Sequence, residues 1–369
     1  MNNLFRQKRI ITLALCLSLI FAAFGPLDLI PEARAASQAS LTRLVKKLKR
    51  QVKKLKRQLR AARRPAPVPV PFIEMVTVGN VGNAADPEDG DSGTGGVQNY
   101  GAVPYEFQIG KYEVSLDEYT RFLNAVAATD TYNLYNTNMA TNLNIAGIER
   151  SAAEPYTYTV IGSGKRPVTY VSWFDAARFC NWLHNGRPSG AQDVSTTEDG
   201  AYGLFGVTSG VEGLVRGPLA KYWIPSEDEW YKAAYHQPSG QSGDSDDYWL
   251  YPTGSNGVSG NDIGPSPLAN HANYRTANSF YSVTQSASYI GTQNYLTDGG
   301  AYEGSSSYYG TFDQGGNVRE WNDAVIISSF RGLRGGSWDG SEFDLRSSFR
   351  YGSFPDDVYS FIGFRVASP

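Results

Sequence analysis

The chain has 369 residues, of which 41% are apolar and 19% charged, with 39 glycines, 24 tyrosines and 7 tryptophans. That composition excludes a disordered chain and describes a loop-rich globular protein with an aromatic core. The formal charge of −3 hides an asymmetry: residues 41–64 carry 12 Lys and Arg and no acid, whereas beyond residue 64 there are 34 acids against 17 bases. So acidic a body excludes specific nucleic-acid binding and leaves the basic segment as the sole candidate polyanion contact.

Residues 1–35 read as a secretory signal peptide. Arg6, Lys8 and Arg9 precede an apolar stretch from Ile10 to Phe24, and Ala33-Arg34-Ala35 offers small residues at the cleavage positions. Asp28 and Glu32 argue against a full membrane span, with an uncleaved anchor as the alternative. Export is therefore expected, to the periplasm, the cell surface or the medium. After cleavage Cys180 is the remaining cysteine, so no internal disulfide is expected.

Residues 36–64 form a basic helix. Val45-Lys-Lys-Leu-Lys-Arg-Gln51 repeats at once as Val52-Lys-Lys-Leu-Lys-Arg-Gln58. Val45, Val52 and Leu59 fall at a, and Leu41, Leu48 and Leu55 at d, of a heptad seam that favours a parallel dimer. The seam is short. A homo-oligomeric stalk through 41–59, a basic helix on an anionic envelope polymer and a solvated tether all remain open. Alternating prolines over 65–71 then set a semi-rigid linker before a domain at 72–369.

Three helix starts within the domain share one signature. Ser115-Leu-Asp-Glu118, Ser172-Trp-Phe-Asp175 and Ser226-Glu-Asp-Glu229 each place a capping serine three residues before an acid. Apolar residues follow in helical register: Tyr119, Phe122, Leu123 and Val126, then Ala176, Phe179, Cys180 and Leu183, then Trp230, Ala233 and Ala234. Cys180 lies on the apolar face and reads as a buried, inert thiol. Between the helices run long polar tracts of Gly, Ser, Asn and Tyr, which makes the domain α+β with ordered loops and short strands. The acid clusters at Asp86–Asp91 and Asp244–Asp247 read as solvated loops.

Asp313, Gly316, Val318 and Glu320 are the best metal candidates. Two carboxylates bracket a glycine turn whose carbonyls add oxygen ligands suited to calcium, with a tight turn carrying solvated acids as the alternative. Six arginines crowd the C-terminal region: Arg319, Arg331, Arg334, Arg346, Arg350 and Arg365. Most read as forks tying loop carbonyls or carboxylates. Arg334, beside Gly335-Gly336, and Arg350 read as members of a ligand cleft. No phosphate-binding loop, nucleophile elbow or His-Glu-x-x-His pair occurs.

Six stretches in order carry a family resemblance: Gln108-Ile-Gly-Lys-Tyr-Glu-Val-Ser115, Pro167-Val-Thr-Tyr-Val-Ser-Trp-Phe-Asp-Ala176, Trp223-Ile-Pro-Ser-Glu-Asp-Glu-Trp230, Gly316-Asn-Val-Arg-Glu-Trp321, Arg334-Gly-Gly-Ser337 and Gly363-Phe-Arg365. Together they resemble the formylglycine-generating, sulfatase-modifying-factor family. The resemblance implies a C-type-lectin-like variant of the α+β class with short twisted sheets. It implies one calcium ion on Asp313, Gly316, Val318 and Glu320; a first site through Asn273 and Tyr274 lacks its later acid. It also implies two reactive cysteines after Gly-Gly-Ser, but Gly340 and Leu345 stand there, and of that constellation only Ser337 is retained. No copper, haem, flavin or nucleotide is therefore expected. The preferred expectation is a calcium-stabilised module binding a protein, peptide, glycan or other surface ligand in a cleft of Arg319, Arg334, Ser337, Asp339, Glu342 and Arg350. The alternative is an enzyme using Arg319, Ser337, Asp339, Glu342 and Asp344 for acid–base work.

Overall fold

The computed structural model describes residues 71–369 except 88–98, 211–213, 242 and 265–267. Towards the N-terminus it describes only Ser40, Thr42, Arg43, Lys46, Lys49, Arg50 and Lys53, which are helical and exposed. The expected signal peptide, the seam residues Leu41 to Leu59 and the linker prolines up to Pro69 lie outside the described residues. By internal contacts the chain divides into residues 1–70 and Pro71–Pro369, and the second unit carries the elements below.

Helices α1 (Leu116–Val126), α3 (Trp173–His184) and α4 (Glu227–Tyr235) start where the serines predict. Each forms a full capping box: the serine hydroxyl accepts from the backbone N–H three residues on, and the acid there accepts from the serine N–H. Asp175 closes the box at Ser172 as glutamate does at the other two. A single turn, α2 (Asn138–Thr141), lacks a side-chain cap.

The apolar faces of α1 and α3 build the main core. Phe179 stacks on Tyr119 at 6.1 Å and meets Phe122 edge-on at 5.3 Å, and Phe364 packs edge-on against both Tyr119 and Phe179. Cys180 is fully buried in this cluster, and burial pushes its thiol well above the usual range, so it is inert as read.

The strands are short. β1 (Met75–Val78), β2 (Phe107–Gly110) and β9 (Ala367–Ser368) form one antiparallel sheet in that order, and β3 (Ile148–Arg150) pairs with β4 (Tyr158–Val160). The third sheet has the order β7-β6-β5-β8, from Tyr351–Ser353, Phe330–Arg334, Arg319–Ile326 and Ile362–Gly363. β5 runs antiparallel to β6 and parallel to β8. This four-stranded sheet matters most for the site, because it aims the N-terminal end of β5 and the turn after β6 at the same place. The α+β architecture of few helices, short sheets and much ordered loop is the class the sequence predicts.

The acid cluster near residue 86 differs from expectation. Asp86 is buried and accepts from the Tyr231 hydroxyl at 2.6 Å, so it pins its loop to α4 instead of meeting solvent.

Candidate functional site

Arg319 opens β5, and its backbone N–H donates to Phe361 O at 2.8 Å, setting Phe361 beside it. Its guanidinium lies 4.9 Å from the Tyr351 ring, 5.4 Å from Phe361 and 5.7 Å from Phe349. Nε is buried with no hydrogen-bond partner. One terminal nitrogen stands 3.4 Å from Asp344, a looser approach than a fork makes.

The turn after β6 supplies the facing wall. Trp338 N–H donates to Asn317 O at 2.9 Å, Gly340 N–H to Ser337 O at 2.9 Å and Arg275 N–H to Gly340 O at 2.8 Å, so Ser337–Gly340 is fixed from both sides. A 3-10 turn over Glu342–Leu345 follows, capped by Asp344, which accepts from Ser341 N–H at 2.7 Å. Together these residues enclose a pocket of about 230 Å³ lined by Arg275, Arg319, Ser337, Asp339, Asp344 and Phe361, with Gly340 and Ser341 completing the wall. Arg275 faces Asp339 at 3.9 Å with both side chains about two-fifths exposed. Burial raises the Asp339 carboxyl above the usual carboxylate range, and the nearby Arg275 pulls it part of the way back.

At the pocket wall a Cβ added to Gly340 would sit 2.7 Å from Asp344 Oδ2, inside contact distance. The Asp344 carboxylate thus occupies the room that a side chain at 340 would need. Leu345 turns inward and is fully buried with Tyr251, Ala272 and Tyr274.

Three of the expected cleft residues come together here: Arg319, Ser337 and Asp339. Arg334, Arg350 and Glu342 do not. Arg334 is buried, donating to Glu227 at 2.7 Å and to the carbonyls of Ser347 and Phe349. Arg350 grips the same Glu227 at 2.6–2.8 Å. Both arginines therefore clamp α4 to the sheet and its following loop. Glu342 has one carboxylate oxygen buried without a hydrogen-bond partner, and its charge adds to the rise of the Tyr274 hydroxyl, which burial pushes up to about 12. Arg275 and Phe361 are pocket residues that the sequence reading missed; Arg275 lies one residue beyond Asn273-Tyr274, and Phe361 one before Ile362-Gly-Phe-Arg365.

The expected calcium ligands Asp313, Gly316, Val318 and Glu320 are buried and take no part in this lining, although Arg319 in the same loop does. Gly316 has φ +86°, and a Cβ there would fall 2.2 Å from Asn273 O, so only glycine fits the close approach of the two segments. Glu320 takes the Arg365 fork at 2.6 and 2.7 Å and also accepts from Trp230 Nε1 at 2.7 Å. Asp313 accepts from Gly300 N–H at 2.6 Å, and burial pushes its carboxyl up to about 6. Glu113, from the Gly-Lys-Tyr-Glu stretch, is buried beside them with neither carboxylate oxygen hydrogen-bonded. Burial raises its carboxyl well above the usual range, and the negative charges of Asp313 and Glu320 raise it further.

Three buried acids thus share one guanidinium, an excess of negative charge that fits a cation. Among the described residues, however, no three of His, Cys, Asp and Glu converge as a ligand set, so a metal here would have to draw on backbone oxygens. Asn273 and Tyr274 are engaged within the protein. The Asn273 amide donates to Tyr295 O at 2.9 Å and to Asn317 Oδ1 at 3.1 Å, and the Tyr274 hydroxyl donates to Ser259 O.

Sheet order, capped helices and the Gly-Gly-Ser turn define a loop-rich α+β domain with a pocket lined mainly by polar residues at the end of its four-stranded sheet. The chain belongs to the family described as "Sulfatase-modifying factor enzyme 1-like domain", whose model matches residues 65–369. No curated protein matches it. Among solved structures it is similar to CarF, with 21% identity over 80% of this chain and 98% of that one and a TM-score of 0.43. It is similar also to Treponema denticola variable protein 1 (19% identity, 80% and 94% covered, TM-score 0.41) and to PvdO from Pseudomonas aeruginosa (17%, 80% and 94%, 0.43).

Proposed function

We propose that this chain is an exported family member that binds a ligand without carrying out the family's cysteine oxidation. The ligand, a peptide, glycan or other surface group, enters the pocket of Arg319, Ser337 and Asp339. The observation that carries this reading is that Gly340 and Leu345 stand where the resemblance places the reactive cysteines: Gly340 offers no side chain beside the Asp344 carboxylate, and Leu345 lies in the core. The one cysteine in the body, Cys180, is buried elsewhere. A thiolate pair for copper or oxygen chemistry has no place to form from these residues.

The test is incubation of the purified full chain with a sulfatase-motif cysteine peptide and copper under air, with mass spectrometry of the peptide. The reading expects no conversion of cysteine to formylglycine; conversion would overturn it. A second reading, an enzyme of different chemistry, draws support from the raised Asp339 carboxyl next to Ser337 in sequence space and pocket. Turnover of any small ester or amide that stops on Asp339→Asn would favour it.

Calcium belongs to the same proposal as a structural ion. Asp313, Glu320 and the carbonyls of Gly316 and Val318 would hold it, with Glu320 giving up part of its Arg365 fork, and the unpartnered oxygens of Glu113 support a cation nearby. Calcium would neutralise the buried carboxylates and supply no redox chemistry. At about 100 times its Kd, calcium should stabilise the body by roughly 2.7 kcal/mol. The thermal midpoint should therefore fall on chelation with EGTA and recover with calcium, and Asp313→Asn should abolish the response. Within residues 1–70, the exposed basic helical residues support attachment to an anionic envelope polymer or a homo-oligomeric stalk.

A further inference from the structure

The pocket's charges identify a narrower class of ligand. This step rests on the binding reading above. The lining holds two guanidiniums and two carboxylates, so its formal charge sums to zero and neither a simple anion nor a simple cation gains a net Coulombic advantage. The pairs are also loose. Arg275–Asp339 and Arg319–Asp344 stand at 3.9 and 3.4 Å, whereas the structural forks Arg178–Glu198, Arg334–Glu227 and Arg365–Glu320 close to 2.6–2.7 Å. Donors and acceptors are therefore available side by side in one small space, and a buried donor of Arg319, Nε, has no partner at all.

A ligand that matches this set offers groups that both donate and accept at short spacing. Hydroxyls do so, and a vicinal diol presents two of them to a guanidinium and a carboxylate at once. The rim adds a second, independent observation. Phe361 lines the pocket and is stacked on Tyr359 at 5.3 Å with planes 2° apart, and Tyr359 is 43% exposed. Tyr351, 44% exposed, covers the Arg319 guanidinium from the other strand. Exposed ring faces carry partial negative charge and attract the weakly positive C–H face of a saturated ring. The volume, about 230 Å³, falls below the roughly 300 Å³ at which drug-sized pockets begin, and suits one ring unit of a longer chain.

We infer that the pocket recognises a neutral sugar unit, with Arg319 and Asp339 reading its hydroxyls, the Phe361 ring supporting its C–H face, and Tyr359 and Tyr351 holding Phe361 and Arg319 in place from behind. The rival is a peptide, since β7 is an edge strand that an extended chain could join.

Saturation-transfer NMR on the full chain separates the two, using maltotriose, cellotriose and tri-N-acetylchitotriose beside acetylated trialanine amide. Transfer from protein to the ring C–H protons of at least one trisaccharide is expected. Asp339→Asn and Tyr351→Ala should each weaken it by roughly tenfold. Both side chains are substantially exposed, and an unchanged thermal midpoint confirms that each variant is folded. Absence of transfer to all three trisaccharides, or transfer indifferent to both variants, overturns the sugar assignment. If the tripeptide alone binds and Asp339→Asn abolishes it, the sugar assignment fails while the binding reading stands. If neither kind of probe binds, both fail.

Discussion

The arginines of the C-terminal region look alike in sequence but have different roles in the folded chain. Arg334 and Arg350 converge on the buried carboxylate of Glu227, whereas Arg319 keeps its donors near a pocket. Removing one member of a buried charge cluster leaves the others uncompensated, at a cost of about 3–5 kcal/mol. Glu227→Gln should therefore lower the urea-unfolding free energy by about that much, while Arg319→Gln should leave it nearly unchanged. Burial alone would raise the Glu227 carboxyl, but Arg334 and Arg350 outweigh it and hold it below the usual range. With a folded pKa below the unfolded value of about 4.3, its stabilisation is present above that pH and drains away as pH falls. An acid-unfolding series should show the wild type losing this advantage below about pH 4.3 and Glu227→Gln losing less over the same interval. At Gly340 a methyl group must displace Asp344; Gly340→Ala should cost about 1–3 kcal/mol by thermal unfolding.

At the level of elements, the helices were legible because their signals are local. A serine and an acid three residues apart, followed by apolar residues in register, fix where α1, α3 and α4 begin without reference to the rest of the chain. Ser172→Ala should cost about 1 kcal/mol, within the usual range of 0.5–2, read from the denaturation midpoint. The site was legible only in part. Arg319, Ser337 and Asp339 lie within one stretch whose glycine turns bring them together. Nothing in the spacing of Arg334 and Arg350 points to Glu227, 107 and 123 residues upstream. Asp86 misled for the same reason, because its partner Tyr231 is 145 residues away. An acid in a polar loop looks solvated until the fold provides a buried hydroxyl.

At the scale of the whole molecule, the sheet and core contacts of Pro71–Pro369 close among themselves. Deleting residues 1–70 should leave the body's thermal midpoint within about 2 °C of the full chain, a shift corresponding to roughly 1 kcal/mol in a protein of this size. If the basic heptads join copies, sedimentation of the shortened chain should give a monomer where the full chain gives a larger species. Equal masses would retire the stalk as an oligomeriser and leave it a polyanion contact or a solvated tether.

The pairing of β2 with β9 has a consequence for how the protein is made. Gln108 and Ile109 meet Ser368 and Ala367, and Arg365 joins Glu320 to the carbonyls of Gly110 and Phe312. A ribosome adding about 5–20 residues per second takes on the order of tens of seconds to travel from one partner to the other. Throughout that interval the early strand lacks its β9 partner, and Glu320, once made, waits a further 45 residues for Arg365. The nascent chain is thus kept unfinished until Arg365 and β9 have been made, and a stop codon before Arg365 would release a product with the fold's closing clasp missing.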